Sequence, residues 1–371
     1  MTQYDRRAAL AVLSTLWLSA CGGSGGDNAA ATGGSPAAPT PAPAPSAPTP
    51  PPAPVPTPPS PAPPTPPQGV SSYGDFRGAS LGIGAALNGA VAFPAGNAWN
   101  TDISSAAVDA NSDALIASIG LDTALHPDFG AGSIGIPYVV VAGSQTQVPM
   151  NWTAYGDESE PGPHPVPPNA PVEGAPDTSG DRHVLVIDRD NNRLYELYRA
   201  FAQNGGTSWD ADCGAVFHLD SNNVRPGGQA GWTSADAAGL PIFPGLARYE
   251  EAALGPGGIA HALRFTVARS RRAYVPPATH WASSSTSTSL PPMGMRVRLK
   301  SSFVIPSGFS AETRALLTAM KTYGMVMADN GSNWYVSGAP DNRWNNDRLN
   351  RELAQVHGRD FEVVRMDGLV T

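Results

Sequence analysis

The sequence predicts a mainly β fold, an antiparallel β-sandwich or jelly-roll-like arrangement with a few peripheral helices. An α+β arrangement is the alternative. Three observations carry this. Apolar runs are short and alternate with period two, Gly- and Pro-rich loops separate them, and only three segments carry helical signals.

Pro137–Val141, Val148–Trp152 and Val363–Arg365 are brief apolar or alternating runs that read as strands. His183–Asp188 and Leu194–Phe201 flank Arg189-Asp190-Asn191-Asn192-Arg193, turn chemistry that predicts a hairpin. In 259–267, Ile259, His261, Leu263, Phe265 and Val267 share one face. In 295–303, Met295, Val297, Leu299 and Phe303 point inward and Arg296, Arg298 and Lys300 outward. Met325–Met327 and Trp334–Val336 lie either side of Asn330-Gly331, a second hairpin signal. A helix is expected over 311–323, with Ser310 as N-cap, Glu312 in its first turn and Gly324 past its C-terminus. Residues 345–356 and 112–119 read as two further helices.

The 371 residues do not all suit a folded domain. The chain has 39 prolines, and eighteen of them fall between Pro36 and Pro67. Residues 22–35 are Gly, Ser, Ala and Thr apart from Asp27 and Asn28. The organisation expected is a leader (1–20), a Gly/Ser then Pro-rich linker (21–68), a loosely ordered segment (69–92) and a β-rich domain (93–371). The Pro-rich run favours polyproline II and, at ~3.1 Å per residue, reaches on the order of 100 Å. Residues 157–180 read as a long surface loop.

The first residues are an address. Arg6 and Arg7 precede an apolar run from Ala8 to Leu18, too short to span a bilayer. The run ends in Leu18-Ser19-Ala20-Cys21, which resembles the lipobox of bacterial lipoproteins. The resemblance implies cleavage by signal peptidase II before Cys21, a diacylglyceryl thioether on its thiol, and a bilayer as partner. Gly22 at the next position, where Asp commonly retains such proteins at the inner membrane, implies the outer membrane. Loss of Asp5, Arg6 and Arg7 with the leader takes the net charge from −8 to −9. Cys213 then has no intrachain partner and reads as a small buried hydrophobe.

A net charge of −8 with two lysines, Lys300 and Lys321, excludes a nucleic-acid footprint and a P-loop. No H-E-x-x-H, C-x-x-C or nucleophile elbow is present, and no metal, nucleotide or other cofactor is implied. Asp188 to Asn192 lacks the Gly and closing Glu of a calcium loop.

Three features point to chemistry. His183 and His261 sit on predicted strands, and Asp181 lies two residues before His183. For each histidine singly a hydrogen-bonded core residue is the simpler account. Together in a cleft they would supply general bases. Second, seven tryptophans remain in the domain, most beside Asn, Asp, Ser or Gly. Asn330-Gly-Ser-Asn-Trp334-Tyr335 has the pairing of rings and amides that sugar sites use, although loop tryptophans more often pin loops to a core. Carboxylates for a glycosidase would come from Asp157, Glu158, Glu160, Glu196, Asp236 and Asp329. Third, Arg296, Arg298 and Lys300, with an outward Arg264, form a cationic stripe that would bind an anionic polysaccharide, or else simply solvate a strand face.

The segments 93–100, 259–265 and 328–335 are similar to those of uncharacterised secreted bacterial proteins, a resemblance over roughly 93–366 that brings no activity with it. The expectation is therefore a membrane-anchored envelope lipoprotein that acts on polysaccharide or cell-wall glycan as hydrolase or lyase. The catalytic candidates are His183, His261, Asp181 and Asp329; the binding candidates are Trp334, Tyr335, Asn330, Arg264, Arg296 and Arg298. The alternatives are a non-catalytic glycan- or protein-binding lipoprotein and a wall spacer. A cleft holding His183 with His261, or two facing carboxylates, would favour the enzyme; an exposed apolar patch on a convex surface would favour the binder.

Overall fold

The computed structural model describes residues 67–225 and 228–371. The leader, Cys21 and the linker up to Pro66 lie outside them. Of the two units into which the chain divides, Met1–Pro64 and Thr65–Thr371, the described residues belong to the second.

That unit is mainly β, with several sheets and few helices. A six-stranded sheet runs Phe361–Val363, Arg296–Leu299, Met325–Asn330, Leu263–Val267, Tyr335–Ser337, His126–Asp128 in spatial order. A five-stranded sheet runs Cys213–His218, Arg193–Tyr198, Val184–Asp188, Tyr138–Val141, Gly82–Ile83. Both are mixed: Met325–Asn330 pairs parallel with Leu263–Val267, and Tyr138–Val141 parallel with Val184–Asp188. Met150–Trp152, Ser208–Ala211 and Phe201–Gln203 form a three-stranded sheet, and Ser72–Tyr73 pairs with Ala90–Val91.

The first hairpin forms as predicted, with Val184–Asp188 antiparallel to Arg193–Tyr198. The second does not. Leu263–Val267 inserts between Met325–Asn330 and Tyr335–Ser337, pairing parallel with the first and antiparallel with the second. The Asn330-Gly331 turn therefore bridges over a central strand. Each side of Leu263–Val267 gains a ladder, and Leu263, Phe265 and Val267 are fully buried.

The helices are Ser112–Ile119, Tyr249–Ala252, Ala311–Thr322 and Asn346–Leu353. The Ser310 hydroxyl accepts from the Thr313 N–H, and Gly324 ends the third helix at φ 72°, so both expected caps are formed. The four-residue Tyr249–Ala252 helix was not anticipated from the pattern.

Residues 69–92 differ from the loosely ordered segment expected. Phe76, Leu87, Ala90 and Val91 are buried, and Phe76 packs edge-on against Phe243 at 6.1 Å. Residues 157–180 are also only partly a surface loop, because His164, Val166 and Ala170 are buried. Val166 and Ala170 join Val184, Val186, Leu197 and Trp209 in a second apolar cluster on one face of the five-stranded sheet. The opposite face, with Leu185, Ile187 and Leu194, joins the main core.

Candidate functional site

Alternation on Val184–Asp188 and Arg193–Tyr198 sends His183, Glu196 and Tyr198 to the main-core side, towards Leu263–Val267 and Met325–Asn330. The segment from Ser234 to Leu240 lies between the two sheets. Asp236 in this segment is fully buried and takes a two-point bond from Arg264, Nε–Oδ2 2.8 Å and Nη2–Oδ1 2.9 Å. Arg264 also donates to Ser337 Oγ at 2.5 Å and lies 3.5 Å from Asp329 Oδ2. Burial would lower its pKa, but Asp236 and Asp329 more than offset that, so Arg264 is a permanent cation.

His183 is buried, and both ring nitrogens face acceptors. Nδ1 is 2.6 Å from Glu173 Oε2 and Nε2 is 2.9 Å from the Ala235 carbonyl. Only the imidazolium donates from both nitrogens. Burial opposes that charge, yet the Glu173 carboxylate lifts the pKa to about 9. Burial likewise raises Glu173, but the charge of His183 outweighs it and holds Glu173 below the usual carboxylate range. His183 is thus a fixed positive charge at neutral pH, and the general-base role expected from sequence does not suit it.

Two carboxyls move the other way. Glu196 is fully buried and meets no cationic side chain directly; burial pushes it up to about 7, against hydrogen bonds from the N–H groups of Ile242 and Phe243. Asp329 is half-buried, and burial together with Asp236 lifts it to about 7 against Arg264. Asp181 and His183 act on it within electrostatic reach, and Asp181 and Asp329 both act on Tyr198. Asp181, His183, Arg264 and Asp329, four residues singled out from sequence, therefore converge with Asp236, Glu196, Glu173 and Tyr198. Near neutral pH this group holds two fixed cations beside carboxyls poised between protonated and ionised, the condition acid–base chemistry needs.

The comparisons with known proteins are silent: no family model, curated protein or solved structure matches this chain.

The other candidates lie elsewhere. His261 precedes its strand rather than sitting in it. Its Nδ1 meets the Ala262 carbonyl at 2.8 Å, and its Nε2 lies 2.9 Å from Arg248 and 3.2 Å from Glu251. That buried triad ties the Tyr249–Ala252 helix down, and His261 and His183 share no partner in it. Trp334 is fully buried, sandwiched between Phe265 at 5.6 Å and Phe361 at 5.1 Å, and donates to the Gly120 carbonyl. It pins its loop and presents no ring face to a ligand. Asn330 donates to the Ala282 carbonyl at 3.1 Å. Tyr335 is half-buried against the His126 ring.

The cationic stripe is not formed. Arg296 donates to the carbonyls of Tyr323, Ala98 and Thr101, and burial lowers its pKa to about 10. Arg298 is buried, pairing with Glu362 at 2.7 Å and the Ile103 carbonyl. Arg264 faces away from Leu263 and Phe265 as alternation requires, but the 234–240 segment covers that face.

Cys213 is buried, with its thiol pushed up to about 12 by burial and its Sγ on the Ser234 carbonyl, as expected of an inert residue. A cavity of about 300 Å³ lies apart from the Arg264 group, lined by Glu160, His164, Tyr195, Val216 and His218. Among the described residues no His/Cys/Asp/Glu cluster fits a metal ion.

Sequence reasoning missed Glu173 because it sits inside a Pro-rich stretch that reads as surface loop. Asp236 and Glu196 were in the pool of carboxylates, but nothing in the pattern separates them from Asp157, which is exposed, or from Glu158 and Glu160, which hold Thr233 and Arg225.

Proposed function

We propose that this chain is an exported lipoprotein, anchored through a diacylglyceryl group on Cys21, whose folded unit acts on polysaccharide. Asp329 is the proton donor and Asp181 its carboxylate partner, with Arg264 and His183 supplying fixed positive charge behind them. The observation that supports this most directly is a partly exposed Asp329 carboxyl whose pKa burial and Asp236 lift to about 7, 3.5 Å from Arg264. A protonated carboxyl at pH 7 can donate to a glycosidic oxygen as the bond breaks.

The test is release of reducing ends, or of unsaturated sugar absorbance, from a broad polysaccharide panel. Activity that falls at least about a hundred-fold in Asp329→Asn is expected. An inert panel, or an Asp329→Asn variant as active as the parent, would overturn the reading. For the anchor, Cys21→Ser is expected to move the protein from the membrane to the soluble fraction and abolish labelling by a fatty-acid probe. A wild-type protein that takes up no label sinks it.

The second reading, a non-catalytic glycan binder, is favoured by one observation. The charges of Arg264, Asp236, His183 and Glu173 are satisfied by one another. It predicts glycan binding without product release.

A further inference from the structure

The stripe expected on Arg296, Arg298 and Lys300 is not formed, but positive charge collects elsewhere. Arg269, Arg271 and Arg272 fall within four positions of a chain whose net charge is −8. Arg264 and Arg298 are paired with Asp236 and Glu362, whereas none of these three arginines pairs with a carboxylate among the described residues. Arg272 lies over the Trp281 ring, 5.5 Å from its centroid, and Arg269 and Arg272 are both exposed.

Arg271 stands between them and is only 8% exposed. Its Nε is shut off from solvent and has no hydrogen-bond partner, and the adjacent Ser270 hydroxyl is likewise buried and unbonded. Burial lowers the pKa of Arg271. Asp109 acts on it without forming an ion pair, since the Asp109 oxygens accept from the N–H groups of Asn111 and Met366. A buried charge is ordinarily paired or fully hydrogen-bonded. The fold thus spends no carboxylate of its own on this guanidinium.

The three arginines lie at the end of the six-stranded sheet that carries Asp329. Val267, two residues before Arg269, is in register with Asn330, and its carbonyl accepts from the Gly331 N–H. The segment that follows stays at that end: Asn330 donates to the Ala282 carbonyl, and the Gly294 N–H to the Met327 carbonyl. Residues 283–289 are all Ser or Thr, and this hydroxyl-rich loop runs beside the arginines, with Ser283 donating to the Ser270 carbonyl and the Arg272 N–H to the Ser285 carbonyl.

We infer that Arg269, Arg271 and Arg272 form an oxyanion subsite, with Arg271 at its base, so that the polysaccharide the chain acts on is an acidic one. A guanidinium offers two parallel N–H donors to a carboxylate or a sulfate ester, and a desolvated one gains most from the charge it meets. The hydroxyls of 283–289 suit the neutral part of the same sugar. The inference rests on the polysaccharide reading above.

Titration calorimetry on the mature chain tests it. Hexagalacturonate and hexamannuronate carry carboxylates, a κ-carrageenan hexasaccharide carries sulfate esters, and cellohexaose and mannohexaose are neutral. At least one acidic probe is expected to bind roughly ten-fold or more tightly than either neutral one, and to weaken as salt is raised. Binding by either acidic class supports the subsite, and the class that binds names the oxyanion. Arg271→Met and Arg269→Ala are each expected to weaken acidic binding about ten-fold. The Arg271→Met urea midpoint should equal or exceed the parental one, because no partner in the fold loses a charge. A midpoint well below the parental one, together with Arg269→Ala binding as the parent does, would make Arg271 a structural cation and overturn the subsite. So would neutral probes bound or cleaved as well as acidic ones, an outcome that leaves the polysaccharide reading intact. Failure of every probe to bind or be cleaved removes both.

Discussion

Arg264 holds two carboxylates of different kinds. Asp236 is fully buried, and its two oxygens meet two guanidinium nitrogens, so neither charge has water to fall back on. Removing one partner strands the other in a medium that cannot solvate it. Asp236→Ala is expected to cost about 3–5 kcal/mol, read as a lower urea midpoint, whereas a paired Arg264→Met, Asp236→Leu substitution costs much less. A single variant that unfolds at the parental midpoint would show that the pair is not desolvated. Asp329, only 25% exposed and 3.5 Å from Arg264, is held more loosely and keeps a path to solvent. At this scale the sequence was partly legible. Period-two alternation places Arg264 opposite Leu263 and Phe265, and puts His183 in step with Leu185, as the structure does. Alternation assigns a side chain to a face, but it carries no information on what covers that face. The 234–240 segment, with no periodicity of its own, turns an outward arginine into a buried one.

The same limit governs the elements. Ser310 and Gly324 mark their helix because caps act within a few residues: a hydroxyl meets an N–H three residues on, and a left-handed residue ends the last turn. The 183–198 hairpin is equally local, closed by Asp188 accepting from Asn191. The Asn330-Gly331 turn carries the same signal, and yet its flanking strands do not touch. Leu263–Val267, more than sixty positions upstream, separates them. A turn dipeptide reverses the chain; whether the two strands then pair depends on competition from a third, which is a tertiary property. Arg296 shows the converse. On the pattern it is a solvated strand residue, but its guanidinium reaches the Tyr323 carbonyl at the end of the 311–322 helix and the Ala98 and Thr101 carbonyls. It offsets the negative end of that helix while tying the segment near Trp99 to the sheet. The amide-rich neighbours of Trp334 read as a sugar site, but Trp334 itself takes the left-handed φ of 61° in this turn and its ring is fully buried.

Across the folded unit three of the titrating groups, Glu196, Asp329 and His183, share a direction. Glu196 rises from 4.5 and Asp329 from 3.8, each to about 7, and His183 rises from 6.5 to about 9. In each case the folded state holds a proton that the unfolded chain releases at lower pH. Stability therefore falls as pH rises, from about 4 to 7 for the carboxyls and from about 6.5 to 9 for the histidine. Glu173 and Glu251 are shifted downward, burial being outweighed by His183 in one case and by Arg248 and His261 in the other. Their contribution is present above the ordinary carboxylate range and is lost on acidification. Burial also holds His126, His164 and His218 below the ordinary imidazole range, a contribution lost on acidification, so urea midpoints measured from pH 4 to pH 9 should peak between about pH 5 and 7 and decline towards alkaline pH. Glu196 is the most deeply buried contributor. Its shift corresponds to a ceiling of about 3 kcal/mol between pH 4.5 and 7. Glu196→Gln keeps an oxygen for the Ile242 and Phe243 N–H groups but removes the titration, so it should flatten that part of the curve. A parental midpoint that is level from pH 5 to 9, or highest at about pH 8, would mean that these carboxyls ionise freely in the fold, and with it the proton-donor role assigned to Asp329 would fail.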